Sequence, residues 1–183
     1  MDSDGDGNSL RIDGDGNRAS GKFTKFNARF THLRPIAQNH SLLLRFDGQY
    51  SDDVLTSLEQ YSMGGPNSVR AYPISEFIRD KAVFTSAEWV INAPGFADKP
   101  AFAGRNWGEI LQVSIFVDYA KGELNNPVAL ADPDVELSGA GISLDFRLTD
   151  TFFARLDVAS PIGSRDASNG DDPQYWITSG FNF

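Results

Sequence analysis

The chain has 183 residues, a net charge of −9 and no cysteine. That length fits one ordinary domain, the missing thiols exclude a disulfide framework and thiolate metal sites, and the acidic balance argues against nucleic acid, whose phosphates it repels. No run of ~18 or more apolar residues marks a membrane helix and the acidic N-terminus does not read as a signal peptide; the chain therefore reads as soluble unless it is a membrane β-barrel, whose strands expose only alternate residues to lipid.

The first 17 residues, MDSDGDGNSLRIDGDGN, are rich in aspartate and glycine. Asp2, Asp4 and Asp6, then Gly7, five residues and Asp13, fit the spacing of a calcium loop, with aspartate where glutamate usually closes the ligand set. Hard oxygen ligands at alternate positions suit Ca²⁺. No helical pattern flanks the segment, and Ser9 stands where an apolar residue is usual. An acidic loop before the first strand is the competing reading.

From there period two dominates and helical periodicity is hard to find. A weak strand covers roughly 22–34. In Ser41 to Tyr50, Leu42, Leu44, Phe46, Gly48 and Tyr50 form one face, opposite Ser41, Leu43, Arg45, Asp47 and Gln49. A polar loop fills 51–80, and a second weak strand covers 81–91. The stretch 92–109 is too long for a tight turn. Residues 110–120 alternate strongly: Leu111, Val113, Ile115, Val117 and Tyr119 share a face, with Gln112, Ser114 and Asp118 opposite and Phe116 among them. In 138–148, Ala140, Ile142, Leu144 and Phe146 oppose Gly139, Gly141, Ser143, Asp145 and Arg147. In 151–158, Phe152, Ala154, Leu156 and Val158 oppose Arg155 and Asp157. The last strand places Tyr175, Ile177, Ser179, Phe181 and Phe183 on one face.

These seven candidate strands have about the nine to eleven residues that a tilted strand needs to cross a bilayer. Short connections at Pro35 to His40 and at Thr149-Asp150 alternate with long polar loops at 51–80, 121–137 and 161–174, as in outer-membrane barrels; only 92–109 breaks the rule. A soluble β-sandwich also has short alternating strands, but its buried faces do not carry the charges and glycines seen here. Trp89, Tyr119 and Tyr175 fit an interfacial girdle. His32 and His40 are isolated. No nucleophile, phosphate loop or catalytic triad is arranged, so no enzymatic reaction is expected.

One loop stands out. "GGPNSVRAYP", Gly64 to Pro73, sets Val69, Arg70, Ala71 and Tyr72 between turn residues. It resembles the signature Gly-Gly-x-x-Ser-Val-Arg-Gly-Tyr/Phe in the long extracellular loop of the BamA/TpsB superfamily of outer-membrane transporters. "SAEWVINAP" is similar to the next strand of that family, with Glu88 as its inward acid. "FVDYA" resembles the Phe-x-Asp-x-Gly motif that follows and places Asp118. The ending from Ser160 to Phe183 looks like the C-terminal hairpin of the TpsB branch, the two-partner secretion or haemolysin secretion/activation proteins. The chain departs from the pattern at Ala71 and Ala120, where the family has glycine.

The resemblance implies an all-β, antiparallel transmembrane β-barrel, of which residues 21–183 supply about the last seven strands of sixteen. Residues 1–20 then form an acidic extracellular loop, and 51–80 a long loop folding into the lumen. Met1 is expected to be an internal start or a boundary, with POTRA domains in the full-length parent. In the family the loop arginine meets the inward aspartate and glutamate. Here Arg70 is expected to latch onto Asp118 and Glu88, with Gly64, Gly65, Val69, Ala71 and Tyr72 shaping the tip. The implied function is an outer-membrane pore that translocates a secreted exoprotein. The C-terminal residues Tyr175, Ile177, Phe181 and Phe183 resemble the signal read by the barrel assembly machinery. A BamA-like insertase and a soluble calcium-binding β-domain are the alternatives.

Overall fold

The architecture follows from the alternation. A computed structural model describes residues 11–16, 19, 22–148 and 151–181. Asp2, Asp4, Asp6, Phe183 and the turn at Thr149-Asp150 lie outside them. Seven strands form one antiparallel sheet: β1 (Phe26–Ala37), β2 (His40–Tyr50), β5 (Lys81–Asn92), β6 (Leu111–Glu123), β7 (Asp134–Arg147), β8 (Phe152–Pro161) and β9 (Gln174–Phe181). They neighbour one another in chain order, each hydrogen-bonded to the next. β3 (Tyr61–Met63) and β4 (Phe77–Arg79) pair separately within the 51–80 connection. Helix α1 (Trp107–Ile110) is a single turn, and among the described residues no helix is long and apolar enough to cross a membrane.

Both strand ends and loops differ from the sequence expectation in informative ways. β1 runs through Pro35, where a register shift between Pro35 and Ala37 is the kind of irregularity at which a strand holds a proline. β6 and β7 extend past their apolar stretches, pairing as far as Glu123 with Asp134. The 92–109 stretch is a folded cap. Phe96, Phe102 and Trp107 meet edge-on, and Arg105 donates to the carbonyls of Arg147, Leu148 and Glu109. It sits at the same sheet end as the β1–β2 turn, while the three long polar connections lie at the opposite end.

The two faces of the sheet bury different things. On the outer face Trp89, Ile115, Val117, Ile142, Leu144 and Ile177 are exposed, the pattern of strands that face lipid. The inner face is covered by the 51–80 loop. There Val69, Ala71, Tyr72, Phe84, Phe116, Ala120 and Leu137 form one buried cluster. Burial is thus concentrated between loop and wall, on β5 to β8. β1 is exposed along its whole length.

Candidate functional site

The loop is built to deliver its tip. The pairing of Tyr61 with Arg79 and of Met63 with Phe77 clasps its base. Gly64 and Gly65 then turn with φ of +95° and +92°, a left-handed backbone that side chains disfavour. A Cβ on either would also strike the returning chain, at Pro73 and Ile74. Gly65 N–H donates to the Tyr72 carbonyl at 2.9 Å, which closes the tip. Val69, Ala71 and Tyr72 are fully buried beneath it. Burial pushes the Tyr72 phenol pKa up, so it stays protonated and donates to the Arg165 carbonyl at 2.8 Å.

Arg70 sits at the centre, with a side chain only 1% exposed. Its Nε and Nη2 donate to the two oxygens of Asp118 at 2.8 and 2.9 Å, and its backbone N–H adds a third bond to the same carboxylate at 3.1 Å. Nη1 reaches Glu88 Oε2 at 3.0 Å and Asp157 Oδ1 at 3.3 Å. The guanidinium lies over the Phe116 ring, 3.2 Å from its centre. That contact explains why one aromatic interrupts the polar face of its strand: the ring is a floor for the cation. The planar fork of arginine matches a carboxylate in two bonds at once, which a lysine cannot do.

Antiparallel register explains why these groups meet. Ser86 pairs with Asp118, and Asp118 with Gly139. In the adjacent inward row Glu88 pairs with Phe116, and Phe116 with Gly141. Of the two glycines of β7, Gly139 leaves space that the tip fills and Gly141 leaves space for the ring beneath the cation. A Cβ on Gly139 would strike the Ala71 methyl, and one on Gly141 the Phe116 ring. Ala71, a departure from the family pattern, is accommodated by the missing side chain at Gly139. Ala120, the second departure, is buried in the same cluster.

Sequence reasoning paired Arg70 with Glu88 and Asp118 and missed the rest of the cluster. Arg155 donates to Glu88 Oε1 at 3.0 Å, to Asp145 Oδ2 at 3.1 Å and to Asp157, and it also reaches Ser143 Oγ. Arg45 Nη2 lies 3.9 Å from Asp118 and donates to Ser86 Oγ at 3.3 Å. Trp176 Nε1 donates to the Arg70 carbonyl at 2.7 Å, tying the tip to β9. Inward parity marked Arg45, Asp145, Arg155 and Asp157 in the sequence; the register that brings them together did not show there.

The other expected residues lie elsewhere. Tyr175, Ile177 and Phe181 are exposed on the outer face of β9, with the Phe181 ring 4.9 Å from that of Phe152. Asp13 accepts from Asp15 N–H and Asn126 Nδ2, each at 3.0 Å. Among the described residues no group of three or more His, Asp or Glu is placed to hold a metal ion. At the root of the loop, buried Asp80 accepts from both Arg11 and the Asn125 N–H. It also accepts from the Leu55 N–H and Gln60 Nε2.

The family model of the haemolysin secretion/activation protein ShlB/FhaC/HecB matches residues 6–147. The chain belongs to this family. Among curated proteins it is similar to the heme/hemopexin transporter protein HuxB of Haemophilus influenzae strain 86-028NP, 24% identical over 160 residues. HuxB of strain KW20/Rd is 24% identical over 162 residues. Each alignment covers 85% of this chain and 26% of the relative, so the chain spans about a quarter of their length. Among solved structures, BamA from Haemophilus ducreyi lacking POTRA domains 1–3 superposes with a TM-score of 0.68 at 17% identity. It covers 89% of this chain and 37% of that one. The sheet is therefore part of an antiparallel β-barrel of the bacterial outer membrane.

Proposed function

We propose that the chain is the C-terminal wall and latch loop of a pore through which a secreted partner protein crosses the outer membrane. No bond is made or broken: the pore and its loop do the work. The observation that supports this reading is the seating of Arg70, a loop cation held on the lumen wall by Asp118, Glu88 and Asp157. A charge withdrawn from water and given three acidic partners sets where a loop sits. In a barrel, that decides what the lumen admits. The exoprotein is the transported partner, POTRA domains belong to the remainder of the protein, and lipid surrounds the outer face. The assembly machinery reads the C-terminal strand.

The test is Arg70→Ala in the full-length protein, with export of its partner as the readout. Export is expected to fall steeply while the barrel still assembles. Normal export from a folded variant with an unchanged loop would sink the reading.

A further inference from the structure

The lumen cluster holds more cations than a simple latch needs. Glu88, Asp118 and Asp157 face Arg70, and together with Asp145 they also face Arg45 and Arg155, which belong to the wall. A latch that must release has a problem at the acids, not at the arginine. When Arg70 leaves it can be hydrated, whereas the carboxylates stay behind on a wall where an unpaired charge is costly.

The geometry answers that problem acid by acid. Glu88 divides its oxygens: Oε2 takes Arg70 at 3.0 Å, while Oε1 already takes Arg155 at 3.0 Å. Asp157 lies closer to Arg155, at 2.9 Å, than to Arg70, at 3.3 Å. Asp118 is the acid that Arg155 does not reach. Beside it stands Arg45, whose Nη2 is 3.9 Å away. Arg45 Nε is buried and has no hydrogen-bond partner among the described residues, so this guanidinium has a free donor. Ser86 Oγ accepts from both Arg45 and Arg70, at 3.3 and 3.4 Å, and marks the path between the two positions.

We infer that Arg45 and Arg155 are positioning residues of tip release, standing by as counter-ions for the carboxylates that Arg70 vacates. Arg155 keeps Glu88 and Asp157 paired, and Arg45 swings the remaining distance onto Asp118. The docked and undocked tips then differ by less than three buried ion pairs. This rests on the reading of the loop as a latch. It makes a counter-intuitive claim: removing either wall arginine tightens the latch.

The experiment measures tip exposure directly. The chain has no cysteine, and Ser68 is buried next to the tip with a hydroxyl that makes no hydrogen bond. Ser68→Cys is therefore a near-isosteric probe. In the full-length protein, with any other cysteine changed to serine, the rate at which a small maleimide modifies the introduced thiol is followed in outer-membrane vesicles. Arg70→Ala should raise the rate. Arg155→Gln and Arg45→Gln should each lower it, roughly tenfold, because the vacated acids lose a neutralising charge. Arg155→Lys and Arg45→Lys, which keep that charge, should restore most of the rate seen with both arginines in place.

A faster rate in the glutamine variants would make both arginines braces of the docked state, and an unchanged rate would make them bystanders; either overturns the inference. If Arg155→Gln does not assemble, the Arg45 variant, at a quarter-exposed side chain, decides alone. If Arg70→Ala leaves the thiol as slow to react as it is with Arg70 present, the latch reading itself falls. The two failures are thus distinguishable.

Discussion

The loop is held at two places, and the two anchors are built in opposite senses. At the tip a cation belongs to the loop and the acids belong to the wall. At the root an acid, Asp80, gathers donors from Arg11, Leu55, Gln60 and Asn125. The tip anchor has spare arginines around it; around Asp80 the donors come from three stretches, Arg11, Leu55 with Gln60, and Asn125, which the acid ties together. A site with a substitute charge can open and close. A site where one carboxylate gathers four donors opens only by losing all of them. The contrast suggests a fixed root and a movable tip on one loop.

The strongest way to break the comparison is at the tip. Arg70→Ala removes the loop's own charge from Asp118, Glu88 and Asp157; losing one member of a buried pair costs about 3–5 kcal/mol, a loss that Arg155 and Arg45 offset in part. The expected readout is protease cutting within 64–76 at concentrations that spare the wild type. Asp80→Ala comes next. It strands several donors, at about 1–3 kcal/mol for each buried group left without a partner. The loop root and the 124–133 connection should then become cleavable together, while the tip stays protected. Cleavage of the tip as well would show that the two anchors are one.

A smaller effect tests the seat rather than the charge. Gly139→Ala puts a methyl where the Ala71 methyl already lies, and overpacking of this kind costs about 1–3 kcal/mol. Adding Ala71→Gly should restore tip protection, because the pair again holds one methyl. No loss of protection in Gly139→Ala would mean that the tip is seated by ion pairing alone, and failure of the rescue would mean that the methyl acts through Val69 or Ser160 rather than Ala71. The smallest effect is expected for Arg29→Ala. Its pair with Asp47 is 2.6 Å long, but the arginine side chain is 79% exposed, and such pairs contribute about 0–1 kcal/mol. Loop protection should not change.

Much of this fold is visible in the alternation. β2, β6, β7 and β8 alternate clearly, β1 and β5 more weakly because His32, Arg34, Lys81 and Thr85 fall on their outer face, and the apolar outer face runs from Leu42 to Ile177. β3, β4 and α1 are too short to show any period, and their existence depends on the clasp and the cap they complete. The site was legible to the extent that parity makes it so. Glu88, Asp118, Arg155 and Asp157 all read as inward. What parity cannot supply is the register between strands, and register is what sets Glu88 beside Arg155 across two intervening strands. Phe116 stands among the polar residues of its strand because its ring is the floor for the cation, and Ala71 replaces the family glycine because Gly139 opposite it leaves the room.

The hydrogen bond from Trp176 to the Arg70 carbonyl gives the protein a built-in optical probe. The chain has three tryptophans; Trp89 faces outward and Trp107 belongs to the aromatic cap. With those two changed to phenylalanine, and with tryptophans elsewhere in the full-length protein silenced, a single indole remains. Its emission colour then reports on the docked carbonyl, without a label and in real time.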